Sequence, residues 1–169
     1  MSKSKRHIVL AETILREARE ELARADGKSS LLLAAAGVAL GAIVAAIVAG
    51  DWTPFDLMAC VQWLWWVGSA SGVGAIVAFA YSVYPRTAYR GERVPAIIAY
   101  FGDVVATPAN RLEANLIRTS KGIDARVFDQ LKIISGIVDR KYRGIQLGLW
   151  MIALASFACT LAVVIDSFL

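Results

Sequence analysis

Three long stretches without a charged side chain constrain this sequence more than any other feature. Leu31 to Gly50, Leu57 to Pro85 and Ile145 to Ile165 contain no Asp, Glu, Lys or Arg. An α-helix rises about 1.5 Å per residue, so roughly 20 residues cross a hydrocarbon core of about 30 Å. Each stretch is long enough to do so as a helix. A membrane-spanning segment must satisfy its own backbone polar groups, and a helix does this internally. The sequence is 57% apolar, too rich for an ordinary soluble domain of 169 residues, which fits the same reading.

A secretory leader is the rival reading of the first stretch. Such a leader has a short basic head and an apolar run of about 7–15 residues. Here the segment 1–28 that precedes the run carries five acids, Glu12, Glu17, Glu20, Glu21 and Asp26, so a retained helix is expected.

Orientation follows from the basic residues. Seven of the 18 lie in residues 1–28 and the other eleven in residues 86–143. The 51–56 loop and the segment 145–169 hold none. Basic flanks stay on the cytoplasmic side. The N-terminus is therefore expected inside and the C-terminus outside. Trp52, Trp63, Trp65 and Trp66 cluster near the outer end of the first hairpin, where amphipathic rings favour the interface. The net charge of +4 is spread among interleaved acids and reads as a topology signal, with no nucleic-acid partner indicated.

The expected fold class is an all-α integral membrane protein. Three transmembrane helices join a cytoplasmic bundle made by the N-terminal helix, the loop helices and a long C-terminal helix continuing into the third span. The expected segments are a cytoplasmic amphipathic helix over 1–28, spans over 29–50, 58–84 and 144–166, a short outer loop over 51–57, and a cytoplasmic helical region over 85–143. In the first segment Ala11, Leu15, Ala18, Leu22 and Ala25 recur at spacings of four and three, one stripe of a helix. Glu12–Arg16 and Glu20–Arg24 form i, i+4 pairs outside it. The stripe suits packing against another helix better than lying on lipid, because its side chains are small and no aromatic anchors it. Gly27 interrupts the pattern and either loosens the entry to the span or admits a close neighbour. Tyr84-Pro85-Arg86 closes the second span, residues 87–95 read as loop, and helices are expected over Ala96–Thr107 and Asn110–Ser120, ending at Gly122. From about Asp124, Val127, Leu131, Ile134 and Val138 form a stripe that runs without a proline into the third span, giving one helix of roughly 45 residues.

Gly37 and Gly41 in the first span, and Gly68 and Gly72 in the second, form small-xxx-small patterns. These let helix backbones approach in lipid, within one chain or in a homo-oligomer. No ionisable group sits in mid-span, which argues against an ion-coupled transporter. Gln62, Ser69, Ser71, Ser156 and Thr160 are the groups that either line a path or bond back to their own helices. Cys60 and Cys159 lie far apart without metal-ligand spacing and read as small packing residues. His7 is the one histidine, and no P-loop, HExxH or nucleophile elbow is present, so no enzyme, metal or cofactor is expected.

The inner face offers residues suited to a small anionic ligand. Arg86, Arg111, Lys28, Lys141 and Arg143 suit a phosphate, Tyr100, Phe101 and Tyr142 suit a flat base, and Asn110, Asn115 and Ser135 suit its edge. Arg140, Lys141 and Arg143 equally suit headgroup anchoring, Tyr142 is also an ordinary interfacial aromatic, and Phe101 also suits a core position.

Ala25-Asp26-Gly27-Lys28-Ser29 before a Gly/Ala-rich span, Tyr84-Pro85-Arg86 after the second span, Tyr100-Phe101-Gly102-Asp103-Val104 in the loop, and Ser135 through Lys141-Tyr142 before the third together resemble the Pycsar transmembrane effector family. The resemblance runs from about residue 10 to 165. It rests on the order and spacing of these motifs relative to three spans, since each motif alone is weak. It implies a bacterial anti-phage protein of the inner membrane that senses cyclic CMP or cyclic UMP made by a partner pyrimidine cyclase. Such a protein damages the membrane so that growth stops before phage mature. Asp26, Lys28, Arg86, Tyr100, Asp103 and Lys141 match the family pattern. Arg86, Tyr100, Arg111, Asn115, Lys141 and Arg143 are the candidate ligand residues. Asp26, Lys28 and Asp103 form with Arg86 and Lys141 a charged collar at the inner interface. That collar either couples ligand binding to the spans or merely anchors them by snorkelling and local ion pairs. A constitutive scaffold whose cytoplasmic helices bind a protein partner is the alternative function.

Overall fold

The computed structural model describes residues 3–50, 52–84, 98 and 101–168. It contains five α-helices among them: α1 Lys3–Ala49, α2 Ala59–Val83, α3 Phe101–Ala106, α4 Ala109–Lys121 and α5 Ile123–Phe168. A single 3-10 turn, Pro54–Asp56, lies before α2, and no strand occurs among the described residues. Stretches of α1, α2 and α5 are long and apolar enough to cross a membrane, over Arg6–Ala49, Ala59–Val83 and Asp124–Phe168. The all-helical membrane class read from the sequence holds, including the long C-terminal helix that becomes the third span.

The described residues form two compact units. One comprises those within 1–24 and 85–139, the other those within 25–84 and 140–169. Helices α1 and α5 contribute to both.

In the first unit, the stripes of α1 and α5 make the core. Ala11, Leu15, Val127 and Ile134 are buried together, with Ala18, Leu131 and Val138 packed against them. Each helix presents its stripe at spacings of four and three, the heptad-like seam of packed helices. Arg19 donates to Gln130 Oε1 at 3.1 Å beside the seam. Arg24 pairs with Glu21 at 2.8 Å and with Glu20 at 3.9 Å on the exposed face of α1. Helix α4 ends at Gly122, whose N–H returns to the Thr119 carbonyl. Thr119 is buried and ties its surroundings together. Its hydroxyl accepts the Ile98 N–H at 2.9 Å and donates to the Asn115 carbonyl at 2.7 Å.

In the second unit, α2 and α5 run antiparallel along a seam of small residues. A Cβ on Gly68 would stand 2.6 Å from Cys159 Sγ, and one on Gly72 would stand 3.7 Å from the Ala155 Cβ. Further along, Met151 fills the space beside Gly74, Phe79 that beside Gly148 and Ser82 that beside Gly144. Partner numbers fall on α2 as they rise on α5, which fixes the direction. The Ser71 hydroxyl crosses this seam to donate to the Met151 carbonyl at 2.9 Å, instead of bonding back to its own helix. At the far end Leu57, Val61, Trp65 and Ala162 are buried together, and Trp52 meets Trp65 edge-on with centroids 4.7 Å apart. The Asp166 carboxylate accepts the Met58 N–H at 2.8 Å, covering one of the donors that the start of α2 leaves unpaired. Gln62 donates to the Pro54 carbonyl at 3.3 Å.

Two features differ from the sequence reading. Helix α1 passes through Gly27 without a break, and open space surrounds the position where a Cβ would stand. The cost of one mid-helix glycine, about 1 kcal/mol, is met by its neighbours, because Ala25 and Ser29 are fully buried on either side. The other concerns the glycine pairs. Gly68 and Gly72 pack against α5, whereas nothing stands within 4 Å of a Cβ placed on Gly37 or Gly41. The loop over 87–95 and the Pro85-Arg86 step lie outside the described residues. Of the helix expected over Ala96–Thr107, the described residues are helical over Phe101–Ala106, while Ile98 and Thr107 lie outside the helix.

Candidate functional site

The charged layer of the second unit centres on Lys141. It sits on α5 one turn before Gly144, so both face the same neighbour. That neighbour is the last turn of α2. Gly144 has no side chain, and Ser82 occupies the space a Cβ would take. The Ser82 hydroxyl, fully enclosed, donates to the Ala78 carbonyl at 2.9 Å. Its carbonyl is among the last of α2, where no following N–H continues the helix. The Lys141 ammonium donates to this carbonyl at 2.9 Å. A cation at a helix C-terminus both fills an orphan acceptor and meets the negative end of the helix dipole.

The same ammonium pairs with the Asp26 carboxylate on α1. The Lys141 side chain is only 13% exposed, against 46% for Asp26, so the cation is enclosed while the acid keeps part of its hydration. Lys28, two residues on, holds its ammonium 5.4 Å from the centroid of the Tyr142 ring, within reach of a cation–π attraction. The acid–glycine–lysine step on α1 therefore faces the lysine–tyrosine step on α5, acid to lysine and lysine to ring.

The sequence-derived candidates fall into three groups. Asp26, Lys28 and Lys141 come together in this layer, and Arg143 lies exposed two residues beyond on α5. Arg111 and Asn115 lie one turn apart on α4 in the first unit, the first exposed and the second half-buried. Asp103 occupies the first turn of α3 in that unit. Arg86 and Tyr100 lie outside the described residues.

Three participants were not singled out by residue type or pattern. Ser82 acts through its main chain, which residue type does not reveal. Gly144 and Gly148 form a small-xxx-small pattern of their own, Gly144-Ile-Gln-Leu-Gly148, with the same spacing as Gly37/Gly41 and Gly68/Gly72. That spacing is the signal by which they could have been found. Among the described residues no cluster of His, Cys, Asp and Glu has the makings of a metal site.

The family model described as the Pycsar effector protein domain matches residues 10–166. No curated protein and no solved structure matches the chain.

Proposed function

The chain belongs to the Pycsar effector family, and on that premise we propose that it senses a cyclic pyrimidine mononucleotide and impairs membrane integrity in response. Membership makes it an anti-phage defence effector and implies a cyclic nucleotide signal from a partner cyclase. The basic segments keep the N-terminus and the 86–143 region in the cytoplasm of a bacterial inner membrane, where cyclic CMP or cyclic UMP is met. Arg111 and Asn115 of the first unit offer such a ligand a cation and an amide edge, and Arg86 and Tyr100, by residue type, a second cation and an aromatic face. The charged layer of Asp26, Lys28 and Lys141 in the second unit transmits occupancy to the entrances of the spans. The membrane is then breached by a homo-oligomer, because three helices from one chain cannot enclose a water path. The cell stops growing or dies before phage mature. The chain itself binds and changes shape without catalysing a reaction.

The match over residues 10–166, together with three helices able to span a membrane, carries this reading. The scaffold alternative needs no ligand pocket and accounts for the amphipathic stripes equally well, with a partner docking on the cytoplasmic helices. The stripe of α1 is buried against α5 within the first unit, so such a partner would have to dock on other faces.

A ligand shifts an equilibrium only by its difference in affinity for the two states. A 100-fold difference supplies about 2.7 kcal/mol, within the ordinary range of allosteric coupling. The test is thermal unfolding of the detergent-purified protein titrated with cyclic CMP, cyclic UMP, cyclic AMP and a cyclic dinucleotide. One pyrimidine ligand should raise the midpoint progressively with concentration, in step with an added stability of about 2.7 kcal/mol at 100 times its Kd. A folded, intact oligomer that responds to none of the four would contradict the sensing role.

A further inference from the structure

We infer that one flank of the α1–α5 pair in the first unit is an interface with a second copy of this chain. The two copies pack side by side at equal height, outside the membrane.

The seam defines the flank. Ala11, Leu15 and Ala18 of α1 pack there with Val127, Leu131 and Ile134 of α5. Both helices run from the first unit into the second, so they are parallel. A helix turns by about 100° per residue, so the residue before a seam position and the residue after it lie on opposite flanks. Arg19 follows Ala18, Gln130 precedes Leu131, and their hydrogen bond marks one flank. The other flank therefore carries residues that precede the α1 stripe and follow the α5 stripe. These are Leu10, Ile14 and Glu17 on α1, and Phe128 and Lys132 on α5.

Leu10, Ile14 and Phe128 are 59%, 39% and 50% exposed. Lipid does not explain this. Ile14 precedes the charge-free run at Leu31 by 17 residues, and Phe128 precedes the run at Ile145 by 17, about 25 Å of helix in each case. Grouped apolar surface outside the bilayer marks a contact with another molecule.

The charges beside it identify that molecule. Glu17 and Lys132 are both exposed, and neither makes an ion pair among the described residues. They precede their charge-free runs by 14 and 13 residues, so they too share one height. Copies inserted in one membrane with one orientation are related by an axis along the membrane normal. A two-fold contact sets residue i of one copy against j of the other, and j against i. Turning this flank about such an axis lays α1 over the α5 of the second copy. Ile14 then opposes Phe128 twice, and Glu17 opposes Lys132 twice. Apolar groups at one height and opposite charges at another, divided between the two halves of a surface, complement a copy of that surface. An unrelated partner requires neither match.

The interface deepens the homo-oligomer of the proposed function, and it is read without nucleotide so that each can fail alone. The test is crosslinking in membranes of cells making the full chain and no cyclase, with Cys60→Ser and Cys159→Ser throughout. One copy carries Ile14→Cys and one tag, and the other carries Phe128→Cys and a second tag. A disulfide needs Cβ atoms about 3.5–4.5 Å apart, so a product bearing both tags reports the opposed pair. Arg16→Cys replaces Ile14→Cys as the control, because it is exposed near the same height but follows Leu15 and so lies off this flank. The Ile14/Phe128 product should dominate. Glu17→Lys on the first copy should lower its yield about threefold, the scale of an exposed ion pair, and Lys132→Glu on the second copy should return it. Lys132→Ala leaves the apolar contact in place and should change the yield least. Equal yields from Ile14→Cys and Arg16→Cys overturn the interface. So does the absence of product in membranes that hold the folded protein, or a yield that falls further when both charges are reversed. A dominant Ile14/Phe128 product from a protein that leaves vesicles sealed with every nucleotide supports the interface and counts against the membrane-damaging function.

Discussion

Gly148→Val should unfold the second unit, and Gly148→Ala should weaken it measurably. The Phe79 ring is fully buried, and a Cβ on Gly148 would come within 2.7 Å and 2.9 Å of two of its atoms. Real Cβ contacts essentially never fall below 3.0 Å, so the ring or the helix must move. Neither moves freely, because Phe79 has no exposed edge into which to swing. Overpacking of this kind costs about 1–3 kcal/mol for one added carbon and more for a branched side chain. Thermal unfolding in detergent should show a large drop in midpoint for Gly148→Ala. Adding Phe79→Leu should return much of it, since a smaller partner vacates the same space. Gly37→Ala and Gly41→Ala serve as controls. Open space surrounds both positions, and alanine favours helix over glycine by about 1 kcal/mol, so neither should destabilise the monomer. A Gly148→Ala protein as stable as the original would mean that the α2–α5 seam does not pack as described.

The second large effect lies in the first unit. Ile134 is 5% exposed and packs in the seam with Leu15 and Val127. Truncation to alanine removes buried methyl groups from a seam whose α1 side includes the small Ala11 and Ala18. A loss of about 2–5 kcal/mol is expected. Hydrogen exchange should then quicken across residues 11–18 and 127–138, while Lys132→Ala, on the exposed side of α5, should leave it unchanged. If the cytoplasmic residues hold the nucleotide, Ile134→Ala should also weaken the ligand-induced rise in midpoint. Unchanged exchange across both stretches would show that this seam is not what holds the unit together.

These two sites mark what was legible in the sequence. The spans were legible because a charge-free run as long as the hydrocarbon core is thick has little use outside a membrane. The continuity of α5 was legible because no proline interrupts the helical periodicity between Asp124 and Ile165. The α1 stripe announced that it wanted a helix, and the α5 stripe announced the same, but nothing in either pattern said that each was the other's partner. Small-xxx-small patterns were harder to use. All three spans contain them, and the pattern states that a neighbour can come close without stating which neighbour. The structure separates the pairs that pack within the chain, Gly68/Gly72 and Gly144/Gly148, from the pair that does not, Gly37/Gly41. Lys141 was legible as a cation at the interface, and that position has an ordinary role in headgroup anchoring. Its engagement with Ser82 depends on a main-chain carbonyl exposed by the end of α2, a feature of geometry that residue types do not encode. Asp26 and Lys28 read as a collar from their spacing relative to the first span. An ion pair of Asp26 with a collar cation was legible in the same way, whereas the choice of Lys141 among those cations and the meeting of Lys28 with the Tyr142 ring emerged only when α1 and α5 were seen side by side.

Purified protein in sealed vesicles puts the action of a cyclic pyrimidine nucleotide on a membrane to direct test. The vesicles are loaded with a self-quenched dye, and cyclic CMP, cyclic UMP or cyclic AMP is added. Saturable dye release with one pyrimidine nucleotide and none with cyclic AMP is the predicted result. Vesicles that hold folded protein and stay sealed with all three would contradict it.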